Sequence, residues 1–127
     1  MRGRRPHTPV DHVLVAGHVD DFPAMQRVLA LLPAATYGQV FIEGRLGDER
    51  PQVCVPPRVT VTWLIAGPSG EDRERGALLA TAVEGWYAEW SPEEPQPDRE
   101  FSIWIGDAAS AQVNSLCERL DLQLARL

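Results

Sequence analysis

The segment Gly17-His18-Val19-Asp20-Asp21-Phe22-Pro23-Ala24 sets a histidine and two carboxylates between a glycine and a proline. An imidazole at a turn can move a proton or bind a ligand. His18, Asp20 and Asp21 together are part of a divalent-metal set, but they supply fewer ligands than a complete site needs. The alternative reading of His18 is a polar surface residue beside two acids. His7 and His12 show no ligand spacing with it. Cys54 and Cys117 have no neighbouring base in sequence to mark a nucleophile, no zinc-ligand spacing, and no partners for a disulfide framework. A Ser-His-Asp order with its elbow motif is absent, as is a phosphate-binding P-loop.

The elements that carry this segment follow from hydrophobic periodicity. Asp11 to Gly17 is a short apolar run of the kind buried on both faces in a parallel sheet. Asp20-Asp21-Phe22-Pro23 has helix-start chemistry, and Met25, Val28, Leu29 and Leu32 form a helical stripe that stops before Pro33. Gln39 to Glu43 reads as a second strand, and a brief extended piece is expected at Gln52 to Val55. Val59 to Ile65, β-branched and aromatic, is the clearest strand. A helix is expected from Glu74 to about Trp90, with Leu78, Leu79, Ala82, Val83 and Trp86 on its stripe. Ser91 to Pro97 cannot continue it. A strand at Glu100 to Ile105 and a helix from about Ala108 to Leu120 complete the chain.

This alternation predicts an α/β class, a three-layer Rossmann-like domain with a mainly parallel sheet of four or five strands. Residues 1–10 are expected to be a basic flexible arm and residues 11–127 the α/β domain. In such folds ligands sit beyond the carboxyl ends of the strands. Here those ends are the turns at Gly17, Glu43-Gly44-Arg45, Ile65-Ala66-Gly67 and Gly106-Asp107. Trp63 and Trp104 are expected in the core. Tyr87 and Trp90 are expected to pack on the Pro-rich loop, or else to meet another chain.

Four of these stretches and the first helix carry a resemblance. Leu14-Val15-Ala16-Gly17 with Pro23-Ala24, Val28 to Ala34, Val40-Phe41-Ile42-Glu43, Val61-Thr62-Trp63-Leu64 and Gly106-Asp107-Ala108 resemble, in order, the C-terminal domain of the siderophore-interacting protein family. These are bacterial ferric-siderophore reductases related to ferredoxin-NADP reductases. The resemblance implies an NAD(P)H-binding half whose cofactor-binding positions are Gly17, His18, Asp20, Asp21, Pro23, Ala24, Glu43, Arg45, Gly106 and Asp107, with no catalytic residue of its own. Arg45 is placed for a ribose 2′-phosphate and Glu43 for a ribose hydroxyl. Family members pair this half with an N-terminal flavin-binding barrel. Too few residues precede the first strand for one, so no FAD is expected in this chain, and a separate flavin-binding chain or a homodimer is the expected partner.

Asp20 and Asp21 replace the Thr-Ala of the family pattern at the helix start where a diphosphate would lie. Each carboxylate can take the helix N–H groups for itself and also repel the phosphate, by about 4 kcal/mol at ~4 Å and an effective dielectric of ~20 before screening. Ile65-Ala66 stands where the family often has His-Arg, and Gln112-Val113-Asn114 where it commonly has arginines. Two functions therefore remain: half of a ferric-siderophore reductase, or a degenerate interaction or dimerisation module that no longer holds a dinucleotide.

Composition bounds both. Eighteen acidic against twelve basic residues give a net charge of −6, which disfavours nucleic acid and anionic lipid as partners. The basic Met1 to Pro6 is followed by no apolar core of a signal peptide, and no apolar run reaches the ~20 residues of a membrane span. A cytoplasmic protein is expected.

Overall fold

The structure is a computed structural model, and it describes residues 10–45, 47, 49–66, 75–90, 99–106 and 110–120. Four strands, β1 (Val10–His18), β2 (Tyr37–Arg45), β3 (Arg58–Ala66) and β4 (Arg99–Ile105), form one sheet in the order β3-β2-β1-β4. Every pairing is parallel. Three helices cover it: α1 (Phe22–Ala30), α2 (Ala77–Trp90) and α3 (Ala111–Leu120). The expected Rossmann-like α/β class is therefore what the chain adopts, with four strands among the described residues.

Period-two alternation sends each strand's side chains to two separate cores. Val13, Val15, Val40, Ile42 and Val59 point to the α1 side, where they meet Met25 and Leu29. Leu14, Ala16 and Ile105 point the other way, to Leu79, Val83 and Trp86 of α2 and Val113, Leu116 and Cys117 of α3. Strands buried on both faces carry little polar alternation, and that is why β1 reads as a continuous apolar run. Trp63 and Trp104 lie half-buried against the α1-side core. Trp86 and Tyr87 join the other core.

Some boundaries move. The extended piece expected at residues 52–55 is no strand; Pro51, Pro56 and Pro57, which carry no N–H, keep a ladder from extending past either end, and Val53 and Val55 instead lean on the α1-side core. α2 begins at Ala77 rather than Glu74, and α3 at Ala111 rather than Ala108. Residues 74 and 108, like residues 1–9 of the arm, Asp107 and the Pro-rich loop, lie outside the described residues, while Val10 opens β1. No helix among the described residues is long and apolar enough to cross a membrane.

β1 and β2 approach so closely at Gly38 that a Cβ there would collide with the Val13 carbonyl. The two cysteines differ in setting. Cys54 is exposed, whereas Cys117 is buried among α2 and α3, and burial raises its thiol pKa. A raised pKa means less thiolate at any given pH below it, so burial and protonation both slow attack on an alkylating agent. At pH 8, iodoacetamide is expected to label Cys54 at least tenfold faster than Cys117, with the two rates converging in denaturant. Equal native rates, followed by mass spectrometry, would remove this placement of α3.

Candidate functional site

In the order β3-β2-β1-β4 the chain runs outward from β1 to β2 and β3, then returns to the far side of β1 for β4. Connections leaving β1 and β4 thus diverge, and the crevice that such a switch point makes beyond the carboxyl ends is the usual ligand position in an open parallel sheet. Gly17 and His18 close β1, and Gly106 follows β4 and is tied to β1 by its N–H donating to the Ala16 carbonyl at 2.8 Å. Four of the positions named from sequence, Gly17, His18, Asp21 and Gly106, come together here.

Asp21 fills the space between the glycines. Its side chain is 6% exposed, and a Cβ built on Gly17 or Gly106 would stand 3.2 or 3.0 Å from its Oδ2. The same oxygen accepts the His18 N–H at 2.9 Å, while His18 Nδ1 accepts the Asp20 N–H at 3.1 Å. This is a reciprocal capping box around a short 3-10 turn, Val19–Asp21, that leads into α1. While Nδ1 accepts that N–H the imidazole carries its proton on Nε2, so its 3.4 Å approach to Asp20 Oδ2 is not an ion pair. Pro23 is exposed in the first turn of α1, and Ala24 is turned into the interior.

Asp20 behaves differently. Its carboxylate is 64% exposed and pairs with the Arg75 guanidinium at 3.0 Å. Sequence reasoning counted two unopposed acids at this turn; the structure neutralises one of them. An exposed pair of this kind contributes no more than about 1 kcal/mol, so Arg75 can exchange partners cheaply.

Glu43 is His18's neighbour in the β1–β2 register, yet its side chain faces α2. Its Oε2 accepts the Gly76 N–H and its Oε1 the Leu79 N–H, both at 2.8 Å. Gly76 is the residue ahead of the helix, its carbonyl accepting the Ala80 N–H, and it has no side chain to cap with. Strand β2 therefore supplies the carboxylate that the helix start lacks, and the negative charge opposes the positive end of the α2 dipole. The two oxygens that the sequence reading offered to a ribose hydroxyl each accept an N–H of the α2 start. Gly76 itself is at φ +91°, and a Cβ on it would strike Ser110 Oγ. Ser110 caps α3, accepting the Val113 N–H at 3.1 Å and donating to the Arg75 carbonyl at 2.7 Å.

Arg45 ends β2, exposed and apart from the glycine crevice in sequence order of the sheet, one strand over from β1. Asp107 lies outside the described residues. Arg75, Gly76 and Ser110 were missed. A glycine ahead of an apolar helix and a serine three residues before Val113 were legible as caps, whereas Arg75 meeting Asp20 across 55 residues of chain left no local trace. Among the described residues no three His, Cys, Asp or Glu side chains converge in a way that could hold a metal ion.

Residues 10–124 match the sequence profile of the family described as siderophore-interacting protein. Two solved structures have a similar fold. One is the siderophore-interacting protein SipS from Aeromonas hydrophila, 18% identical with a TM-score of 0.55, the match covering 98% of this chain and 46% of that one. The other is a siderophore utilization protein from T. fusca, 21% identical with a TM-score of 0.61, covering 94% and 42%. The chain spans less than half the length of these proteins, and identities this low establish the likeness of the fold alone.

Glu43 is the buried carboxylate on which the start of α2 depends. Glu43→Gln keeps the shape but turns an amide toward N–H groups that need acceptors, and is expected to cost about 2 kcal/mol in urea-unfolding stability. A loss below about 0.5 kcal/mol would mean the cap contributes nothing net.

Proposed function

The chain belongs to the siderophore-interacting protein family, and from that membership we propose that it serves as the nicotinamide-nucleotide half of a ferric-siderophore reductase, acting with a flavin-binding unit outside these residues. The observation that carries this reading is the crevice between the ends of β1 and β4, floored by Gly17 and Gly106 and flanked by Arg75. The two glycines let the backbone turn closely around the Asp21 carboxylate, and Arg75, beside Asp20, is the cation that a phosphate would meet. NAD(P)H would supply the hydride; this chain's residues would bind and orient it.

The fit is partial. Several backbone N–H groups near the crevice already have acceptors within the chain: His18 has Asp21, Gly76 and Leu79 have Glu43, and Val113 has Ser110, whereas the expected capping of α1 by Asp21 is not made. Asp21 adds a negative charge in the crevice itself. These groups support weak binding, and they favour a second reading in which the family fold persists as an interaction module without a dinucleotide.

Calorimetric titration with NADPH and NADH separates the two. The reductase reading expects saturable binding with a Kd of roughly 0.1–1 mM, tightened about tenfold in Asp21→Asn, which preserves an acceptor for the His18 N–H and removes the charge. Absence of binding to both proteins at ~5 mM would eliminate the reductase reading.

A further inference from the structure

A cavity of about 480 Å³ opens at the opposite end of the sheet, among the starts of β1, β2 and β3 and α2. Parallel register places His12, Tyr37 and Arg58 in one row across the three strands. All three share the face that carries Leu14, Phe41 and Leu64 toward α2. The His12 ring stacks on Tyr37 with centroids 4.4 Å apart, and Trp86 meets His12 edge-on at 5.2 Å. The Arg58 guanidinium lies 5.3 Å from the centre of the Tyr37 ring. The space exists because the facing positions on α2, Ala82 and Gly85, are small. A Cβ on Gly85 would meet nothing within 4 Å.

We propose that this slot is a binding site for a planar aromatic carboxylate, with the ring held between the β2 surface and α2 and the carboxylate on Arg58. Aromatic walls on a narrow slot select a flat, apolar body. Arg58 then selects the charge. Its planar fork suits two carboxylate oxygens, and the Tyr37 ring holds it in place by cation–π attraction before any ligand arrives. The opposing charge, Glu89 on the rim, is exposed and works against an anion. This site shares no lining residue with the Gly17–Gly106 crevice, and it stands or falls independently of nucleotide binding.

The test is an NMR titration of the whole chain with 2-naphthoate, with 2-naphthamide as the uncharged counterpart. Saturable shifts at the amides of Tyr37 to Gln39 and Thr81 to Trp86, with a Kd of ~0.1–1 mM and at least tenfold weaker binding of the amide, are expected. Arg58→Gln should weaken the acid about tenfold, and Glu89→Gln should tighten it a few-fold. Gly85→Leu should abolish binding while holding or raising the melting temperature, since leucine favours helix over glycine and its side chain enters the slot. No saturable shift up to ~5 mM, equal affinity for acid and amide, or opposite signs for the two charge variants would overturn the proposal.

Discussion

A carboxylate buried at the end of an interior strand has to find donors inside the protein, and Glu43 finds them at the start of α2. That requirement fixes the helix against the sheet, because Gly76 and Leu79 must both reach one side chain. The helix start in turn must be glycine, because Ser110 occupies the space beside it. Ser110 holds the start of α3 and the Arg75 carbonyl together, and Arg75 reaches Asp20 on the first crossover. A single buried charge thus orders the three connections on the ligand side of the sheet.

The same arrangement decides how the crevice can act. A helix start attracts anions only to the extent that its N–H groups are open. Here side chains have taken those of α2 and α3, whereas Asp21 makes no capping bond to α1, and Arg75, half-buried and paired with Asp20, is the cation beside that start. The capping network therefore sets how strongly an anion could be held at this end of the sheet.

Much of the fold was legible in the sequence. β1, β3 and α1 were readable because their apolar spacing is strict and their ends carry glycine or proline. The stretch at residues 52–55 was misread because two valines at alternating positions look like a strand, while the flanking prolines, which keep a ladder from extending past either end, weigh more. At the site, the glycines and the acid between them were readable as local chemistry. The pairing of Glu43 with Gly76 and Leu79 spans 33 and 36 residues, and that of Arg75 with Asp20 spans 55. Side-chain bonds of such reach follow from topology, and no window of local sequence contains them.

β1 sits at the centre of the sheet, between β2 and β4, yet its two neighbours arrive at very different times. β2 follows within one crossover, whereas Val10 to Ala16 pair with Arg99 to Ile105. During synthesis one flank of the central strand stays bare until most of the chain has emerged from the ribosome, and ordering it requires closing a long loop. Assembly of this fold is therefore a late, all-at-once event, and a nascent chain stopped short of β4 would present an apolar strand edge to any chaperone or neighbouring chain within reach.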